Sequence, residues 1–515
     1  MFEMPATGFR VRNGRPSAVT PRQGIARWLI RTAAALVIVA VSALHAHAFS
    51  RIIVFGDSLS DSGNVYFATG KLIPAAPYHE GRFSNGLNYA DLLASNLGLS
   101  LRPVLDGGTN YAVGGAKTAS FPDQLPYNFL SQVAMFRSQI ALGTTEKPDE
   151  DALYVVFIGS NDMLDVVPEA LDDPANQAAI VGAAVEEIVG DIEKGLQGIR
   201  DEGAVNILVL YLANLARTPR YVQKEAASPG TFAVVTAATL SFNHALDDML
   251  DSFSDLNIIR FNTFELFEQA ISNGATLGLT DVITACYTGD GSFMGGGTVC
   301  SDPAGYAFWD TIHPSARSHS ILAQELNITL HGWFGDVCSF YWAYDHIQKL
   351  SAANVTRGCG NGFYCPEDLV TRAEMAVFIE RIIKEDAFLP PPAVGIFVDV
   401  PTDYWASAWI EQFFQDGITA GCGENTLQYC PEQPLTRAEM AVFLLRAKHA
   451  GGYSPPEPGG IFADVPKDYW AAGWIEQLYL AGITTGCGEN PLRYCPDDEV
   501  TRAQMAAFLV RTFGL

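Results

Sequence analysis

Residues 51–64 read RIIVFGDSLSDSGN, and their interpretation decides the first domain. Ile52, Ile53, Val54 and Phe55 form a short β-branched apolar run closed by Gly56, the pattern of a strand buried on both faces. Gly56, Asp57 and Ser58, with the run Ser60 to Asn64, have the composition of a tight turn. Ser58 therefore has two readings on this stretch alone. It is either a nucleophile exposed at the end of a strand or one more serine in a turn.

Three further apolar runs repeat the strand pattern downstream: LYVVFIGSND from Leu153, VNILVLYLAN from Val205 and LNIIRFNTF from Leu256. Amphipathic stretches separate them, notably residues 174–202 and 231–254. Strands alternating with helices over residues 49–333 predict a three-layer α/β/α domain, a parallel sheet with helices on both faces. In such sheets the functional site lies beyond the carboxyl ends of the strands. The segments GD, GG and GSND fall at those ends.

The chain has 515 residues, 48% hydrophobic and 17% charged, which fits more than one folded unit. Its formal net charge of −25 repels phosphate backbones and argues against nucleic acid as a partner. Residues 1–48 read as a secretory signal: six arginines from Arg10 to Arg31, the apolar core AAALVIVAVSAL, then Ala46-His47-Ala48 as a cleavage site. Export implies an oxidising compartment, which suits nine cysteines. Eight form sequence-near pairs, Cys286/Cys300, Cys359/Cys365, Cys422/Cys430 and Cys487/Cys495, and Cys338 is left over. Each pair lacks the further ligands of a zinc site, so no metal is expected.

The last third repeats. VTRGCGNGFYCPEDLVTRAEMAVFIERI returns twice, as ITAGCGENTLQYCPEQPLTRAEMAVFLLRA and ITTGCGENPLRYCPDDEVTRAQMAAFLVRT, with Thr371, Thr436 and Thr501 spaced 65 residues apart. An upstream half recurs as well, in FVDVPTDYWASAWIEQF, FADVPKDYWAAGWIEQL and the looser FGDVCSFYWAYDHIQKL. The expected units span about 334–385, 396–449 and 461–515, joined by Pro/Gly-rich linkers. Each reads as helix, cysteine-closed loop, helix, with a capping box at Thr371/Glu374, Thr436/Glu439 and Thr501/Gln504. These units resemble S-layer homology repeats through the TRAE signature and the F-x-D-V…W-A opening; Gln504 departs from the usual Glu. The resemblance implies a mainly helical module that binds a cell-envelope polysaccharide. Arg372, Arg437 and Arg502, at helix starts where N–H groups point outward, are the candidate contacts for an anionic polymer.

An acyl-transfer serine needs a base, an orienting carboxylate and oxyanion donors. Of nine histidines, two lie in the leader (His45, His47) and two in the repeats (His346, His449). Among His79, His244, His313, His319 and His331, only His313 has a carboxylate at close spacing in a loop, in FWDTIHPSA. The chain has no G-x-S-x-G, so an ordinary nucleophile elbow is disfavoured. Instead GDSL, NYAVGGA, GSND and DTIH, in that order, with the accessory GRFSNGLNYADLLA, resemble the blocks of the GDSL or SGNH hydrolase family. The resemblance covers nearly all of residues 50–330. It implies Ser58 as nucleophile, His313 as base and Asp310 as its orienter. It implies an oxyanion hole from the Ser58 and Gly115 N–H groups, with Gly114 as the alternative, and from the Asn161 amide. Asp57 and Asp162 are read as holding turns, Arg82 and Asn85 as structural.

The resulting expectation is a secreted serine ester hydrolase, an esterase or lipase without metal or organic cofactor, retained at a bacterial envelope through its repeats. A lipid acyltransferase or a polysaccharide deacetylase would use the same residues. A wall-binding protein with a vestigial hydrolase domain is the remaining alternative.

Overall fold

A computed structural model describes residues 49–119, 127–289, 291–384, 388–423 and 426–515. The leader read from residues 1–48 lies outside them. Strand β1 (Ile52–Gly56) is buried along its whole length, as its unbroken apolar run requires. It pairs in parallel with β2 (Leu153–Phe157), which pairs with β3 (Asn206–Leu210), which pairs with β4 (Asn257–Phe261). All four are the strands expected from the sequence. The segment 109–113 runs along the free edge of β1, with Val54 N–H donating to Thr109 O and Tyr111 N–H to Val54 O.

The helices follow from this order. Helix α1 (Tyr89–Asn96) leads into the edge segment on one side of β1. Helix α2 (Phe129–Ala141) then carries the chain back to β2 on the other side. Right-handed crossovers in opposite directions place helices on opposite faces. The remaining helices of this layer structure are α3 (Ser160–Asp172), α4 (Gln177–Asp201), α5 (Pro219–Ala227), α6 (Thr231–Leu250), α7 (Thr263–Ser272) and α8 (Ala316–Leu330). Helix α8 packs on α1, while α2, α4 and α6 lie side by side. The sheet is thus flanked by two helical layers.

Beyond α8 the chain forms three equivalent units around a closed ring. Val370 N–H donates to Val500 O, Val500 N–H to Leu435 O, and Leu435 N–H to Val370 O. The same logic recurs outside this inner triangle. Asp336, Asp399 and Asp464 each accept two N–H groups from a Tyr-Cys pair of their own unit. Four disulfides close the expected cysteine pairs, and Cys338 is free and buried.

One expectation needs correction here. Reciprocal capping boxes form at Thr371/Glu374 and Thr436/Glu439, but at Thr501 only the Gln504 N–H bond to the threonine is made. A neutral amide holds the Thr501 N–H less strongly than a carboxylate would. The sheet domain and the repeat region share side chains across residue 333. Cys338, Phe340 and Phe363 pack into the core of the sheet domain, and Asn262 N–H donates to Gly335 O. Buried Glu325 on α8 accepts from both the N–H and the hydroxyl of Ser339, at 2.8 and 2.6 Å.

Candidate active site

The turn after β1, the start of α3 after β2, and the loop before α8 converge at the carboxyl end of the sheet. Ser58 Oγ lies 2.9 Å from His313 Nε2, and His313 Nδ1 lies 2.7 Å from Asp310 Oδ2. His313 is 255 residues from Ser58 in the chain. Asp310 also accepts the backbone N–H groups of Ile312 and His313 through Oδ1, which folds the loop tightly around the carboxylate. Burial raises the pKa of this carboxyl. The adjacent His313 and the donated hydrogen bonds outweigh burial and hold it at about 2.

Sequence reasoning missed Tyr78. Its hydroxyl donates to Asp310 Oδ2 at 2.7 Å from a buried position. The accessory block following it clamps the histidine loop at three points. Phe83 stacks on the His313 ring at 5.4 Å, Ser84 Oγ donates to Pro314 O, and Asn85 Oδ1 accepts the Ala316 N–H at 2.7 Å. Asn85 is structural, as expected, and so is Arg82, paired with Asp91. A hairpin closed by Cys286–Cys300 sets Phe293 edge-on to both Phe83 and His313, at 5.1 and 5.8 Å.

Asn161 stands in the first turn of α3, with one amide hydrogen donated to Ala116 O at 2.9 Å. Gly114 and Gly115 are distinguished by their partners. Gly114 N–H is taken by Asp61 Oδ2 at 2.9 Å, and a Cβ at this position would meet the Phe83 ring at 2.3 Å. Gly115, at φ +79, faces open space, and its N–H has no protein acceptor among the described residues. Ser58 N–H is likewise unengaged. Asp57 accepts the Leu59 N–H and holds its turn, whereas Asp162 accepts the N–H and hydroxyl of Thr118, 44 residues away, and ties the start of α3 to that segment instead of holding a turn. Burial pushes the Asp57 carboxyl up to about 6 against the pull of the Leu59 N–H and His313.

Two spaces meet at Ser58. One is an apolar cavity of about 100 Å³ reaching under the histidine loop, walled by Leu59, Leu164, Leu266, Phe267 and Leu322. His319 also lines it, with Nδ1 accepting the Tyr89 N–H; burial, then the neighbouring His313, lowers its pKa to about 3. That wall is therefore uncharged at neutral pH. The other space is a cleft of about 570 Å³ beneath the hairpin, with polar and charged walls.

The envelope-contact expectation for the three arginines is corrected. Arg372, Arg437 and Arg502 are buried between units, 2 to 7% exposed. Each donates through Nε to a tyrosine carbonyl of the next unit: Tyr429, Tyr494 and Tyr364 respectively. Arg372 also pairs with Glu439 and Arg502 with Glu374, whereas the residue at the third equivalent position is Gln504. Their guanidiniums hold the ring closed from inside because extended loops from the neighbouring units cover them.

A serine, histidine and aspartate in hydrogen-bond series at the end of a parallel sheet, beside an apolar cavity, define an α/β ester hydrolase. Residues 52–326 match the model of the GDSL-like lipase/acylhydrolase family, and the chain belongs to that family. Residues 334–376 match the S-layer homology domain, a module of attachment to the bacterial cell surface. Among curated proteins, a GDSL esterase/lipase of Arabidopsis thaliana is 27% identical over 340 residues, covering 58% of this chain and 92% of that protein. A phosphatidylcholine-sterol acyltransferase of Aeromonas hydrophila is 27% identical over 255 residues, covering 47% of this chain and 67% of its own. A solved lipolytic G-D-S-L family protein from Veillonella parvula aligns over 53% of this chain and 94% of its own, at 13% identity and a TM-score of 0.28. No helix among the described residues is long and apolar enough to cross a membrane.

Proposed function

We propose that the protein is a secreted serine ester hydrolase, held at the cell envelope by its ring, and that Ser58, His313 and Asp310 act as its triad. Ser58 Oγ attacks the ester carbonyl as His313 Nε2 takes its proton. Asp310 steadies the imidazolium that forms. The tetrahedral oxyanion sits against the Ser58 and Gly115 N–H groups and the second amide hydrogen of Asn161. Collapse expels the alcohol, which leaves with the proton returned by His313. Water, deprotonated by the same imidazole, then attacks the acyl-serine and releases the carboxylic acid.

The observation that carries this reading is the continuous chain Asp310–His313–Ser58 opening onto an apolar cavity able to receive an acyl chain. Ser58→Ala should lower ester hydrolysis by roughly 10⁴-fold or more, since triad members act as a unit. A fluorophosphonate should label the wild-type chain at Ser58 alone. Substantial turnover by the alanine variant, or labelling elsewhere, would falsify the assignment.

The acyltransferase relative favours one second reading, transfer of the acyl group to an alcohol other than water. The same acyl-enzyme serves both. Adding an acceptor alcohol separates them, because transfer yields a new ester at the expense of free acid.

A further inference from the structure

The two spaces at Ser58 differ in charge. The cavity is largely apolar, but the cleft on the other side of the nucleophile is lined by four charged side chains, Lys117, Asp165, Arg220 and Asp310. Lys117 is paired with Asp165 of α3, which lines the same cleft. Among the described residues Arg220 has no such pair. It lies in the first turn of α5, half-buried, and its backbone N–H donates to Thr311 O at 2.9 Å. That bond fastens it to the loop that carries Asp310 and His313. Its guanidinium has neither a hydrogen bond nor a carboxylate among the described residues.

This vacancy is unusual for the domain. The other arginines of comparable or deeper burial have carboxylates: Arg82 has Asp91, Arg217 has Glu268, and Arg260 has Asp247 and Asp251. With 57 acidic residues against 32 basic ones, partners are abundant. An unmatched guanidinium beside a nucleophile is a ready anion site, and its planar fork suits the paired oxygens of phosphate.

Resting on the Ser58 reading, we infer that the substrate is an acyl ester whose alcohol half carries a phosphodiester. The acyl chain fills the cavity walled by Leu266 and Leu322, and the phosphate lies in the cleft on Arg220. Lys117 is paired with Asp165, and Asp310 is occupied by Tyr78, His313 and two backbone N–H groups, so among the charges lining that cleft Arg220 is the one without a partner of its own among the described residues. This division assigns one end of an amphiphile to each space, with the scissile carbonyl between them at Ser58.

The test compares two esters of one chain length presented to the full chain in neutral detergent micelles: an acyl glycerophosphoglycerol and a monoacylglycerol. Wild-type kcat/KM should favour the phosphodiester. Arg220→Gln should cut that preference roughly tenfold, mainly through KM, and Arg220→Lys should recover part of it. Soluble glycerol phosphate should compete in the wild type and lose most of its effect in Arg220→Gln, which separates phosphate binding from attraction to a charged interface. A wild-type preference that is absent, or one that Arg220→Gln leaves intact, overturns the phosphate site. If either occurs while the fluorophosphonate still labels Ser58, the ester hydrolase reading stands; loss of labelling would remove that reading itself.

Discussion

Asp310 accepts four hydrogen bonds, from Tyr78, from the His313 ring and from two backbone N–H groups. These bonds keep it ionised across the neutral range, so His313 always faces a carboxylate. Tyr78→Phe removes one of them and leaves the aromatic packing in place. The expected result is a loss of roughly three- to tenfold in kcat with an unchanged circular dichroism spectrum. An unaffected kcat would mean that the tyrosine only fills space. The sequence singled out Ser58, Asn161, Asp310 and His313 through the four-block resemblance, and the structure brings Ser58, His313 and Asp310 into hydrogen-bond series. Tyr78 was not legible there, since its contact spans 232 residues and depends on how two loops meet. The choice between Gly114 and Gly115 was equally closed to the sequence. It turns on which N–H the Asp61 carboxylate takes.

At the scale of elements, the capping grammar was readable but its completeness was not. Gln504, whose Oε1 is buried without a partner, faces two unmet demands: the Thr501 N–H, and Arg437, which lacks the carboxylate that Glu439 gives Arg372 and Glu374 gives Arg502. Gln504→Glu supplies both, copying the arrangement at Glu374 and Glu439. The variant should stabilise the full chain by about 1 kcal/mol in denaturant unfolding monitored at the ring. No change, or destabilisation, would mean that the added charge costs more to bury than it gains. The three arginines teach the complementary lesson. Their placement at helix starts was visible, yet a helix start faces outward only if nothing covers it. Here the neighbouring unit's cysteine-closed loop does.

At the scale of the whole molecule, the sheet domain and the ring share side chains across residue 333. Removing residues 334–515 takes Cys338, Phe340 and Phe363 out of the sheet domain's core and leaves buried Glu325 without Ser339. We expect this truncation to cost the remaining domain about 3 kcal/mol or more, read as a lowered Tm in calorimetry. An unchanged Tm would restore a clean boundary. The acid groups set a second expectation. Burial raises Asp57, Asp61 and Asp336 to about 6, and burial with the nearby Asp416 raises Glu380 to about 8. Folding therefore takes up protons between about pH 4 and 8, and stability falls as pH rises through that window. His319, lowered to about 3, opposes this below about pH 6.5 and offsets part of the gain, and Asp310 acts in the same opposing sense only at lower pH, its contribution being complete above about pH 4 and lost toward pH 2. Thermal unfolding should occur of order 5 °C higher at pH 5 than at pH 8. A Tm that climbs between those values would overturn this balance.

The inner triangle of Val370, Leu435 and Val500 has a consequence for inheritance and damage. An open solenoid loses a terminal repeat and keeps the rest, because each repeat leans only on its neighbours. Here the third unit's Arg502 closes onto Tyr364 of the first, so every unit is both first and last. A chain that ends before Arg502 leaves Tyr364 of the first unit without its partner across the ring. A fourth copy could not be spliced in without opening the circle. On the proposed envelope role, attachment is therefore expected to be an all-or-none trait, lost as a set of three.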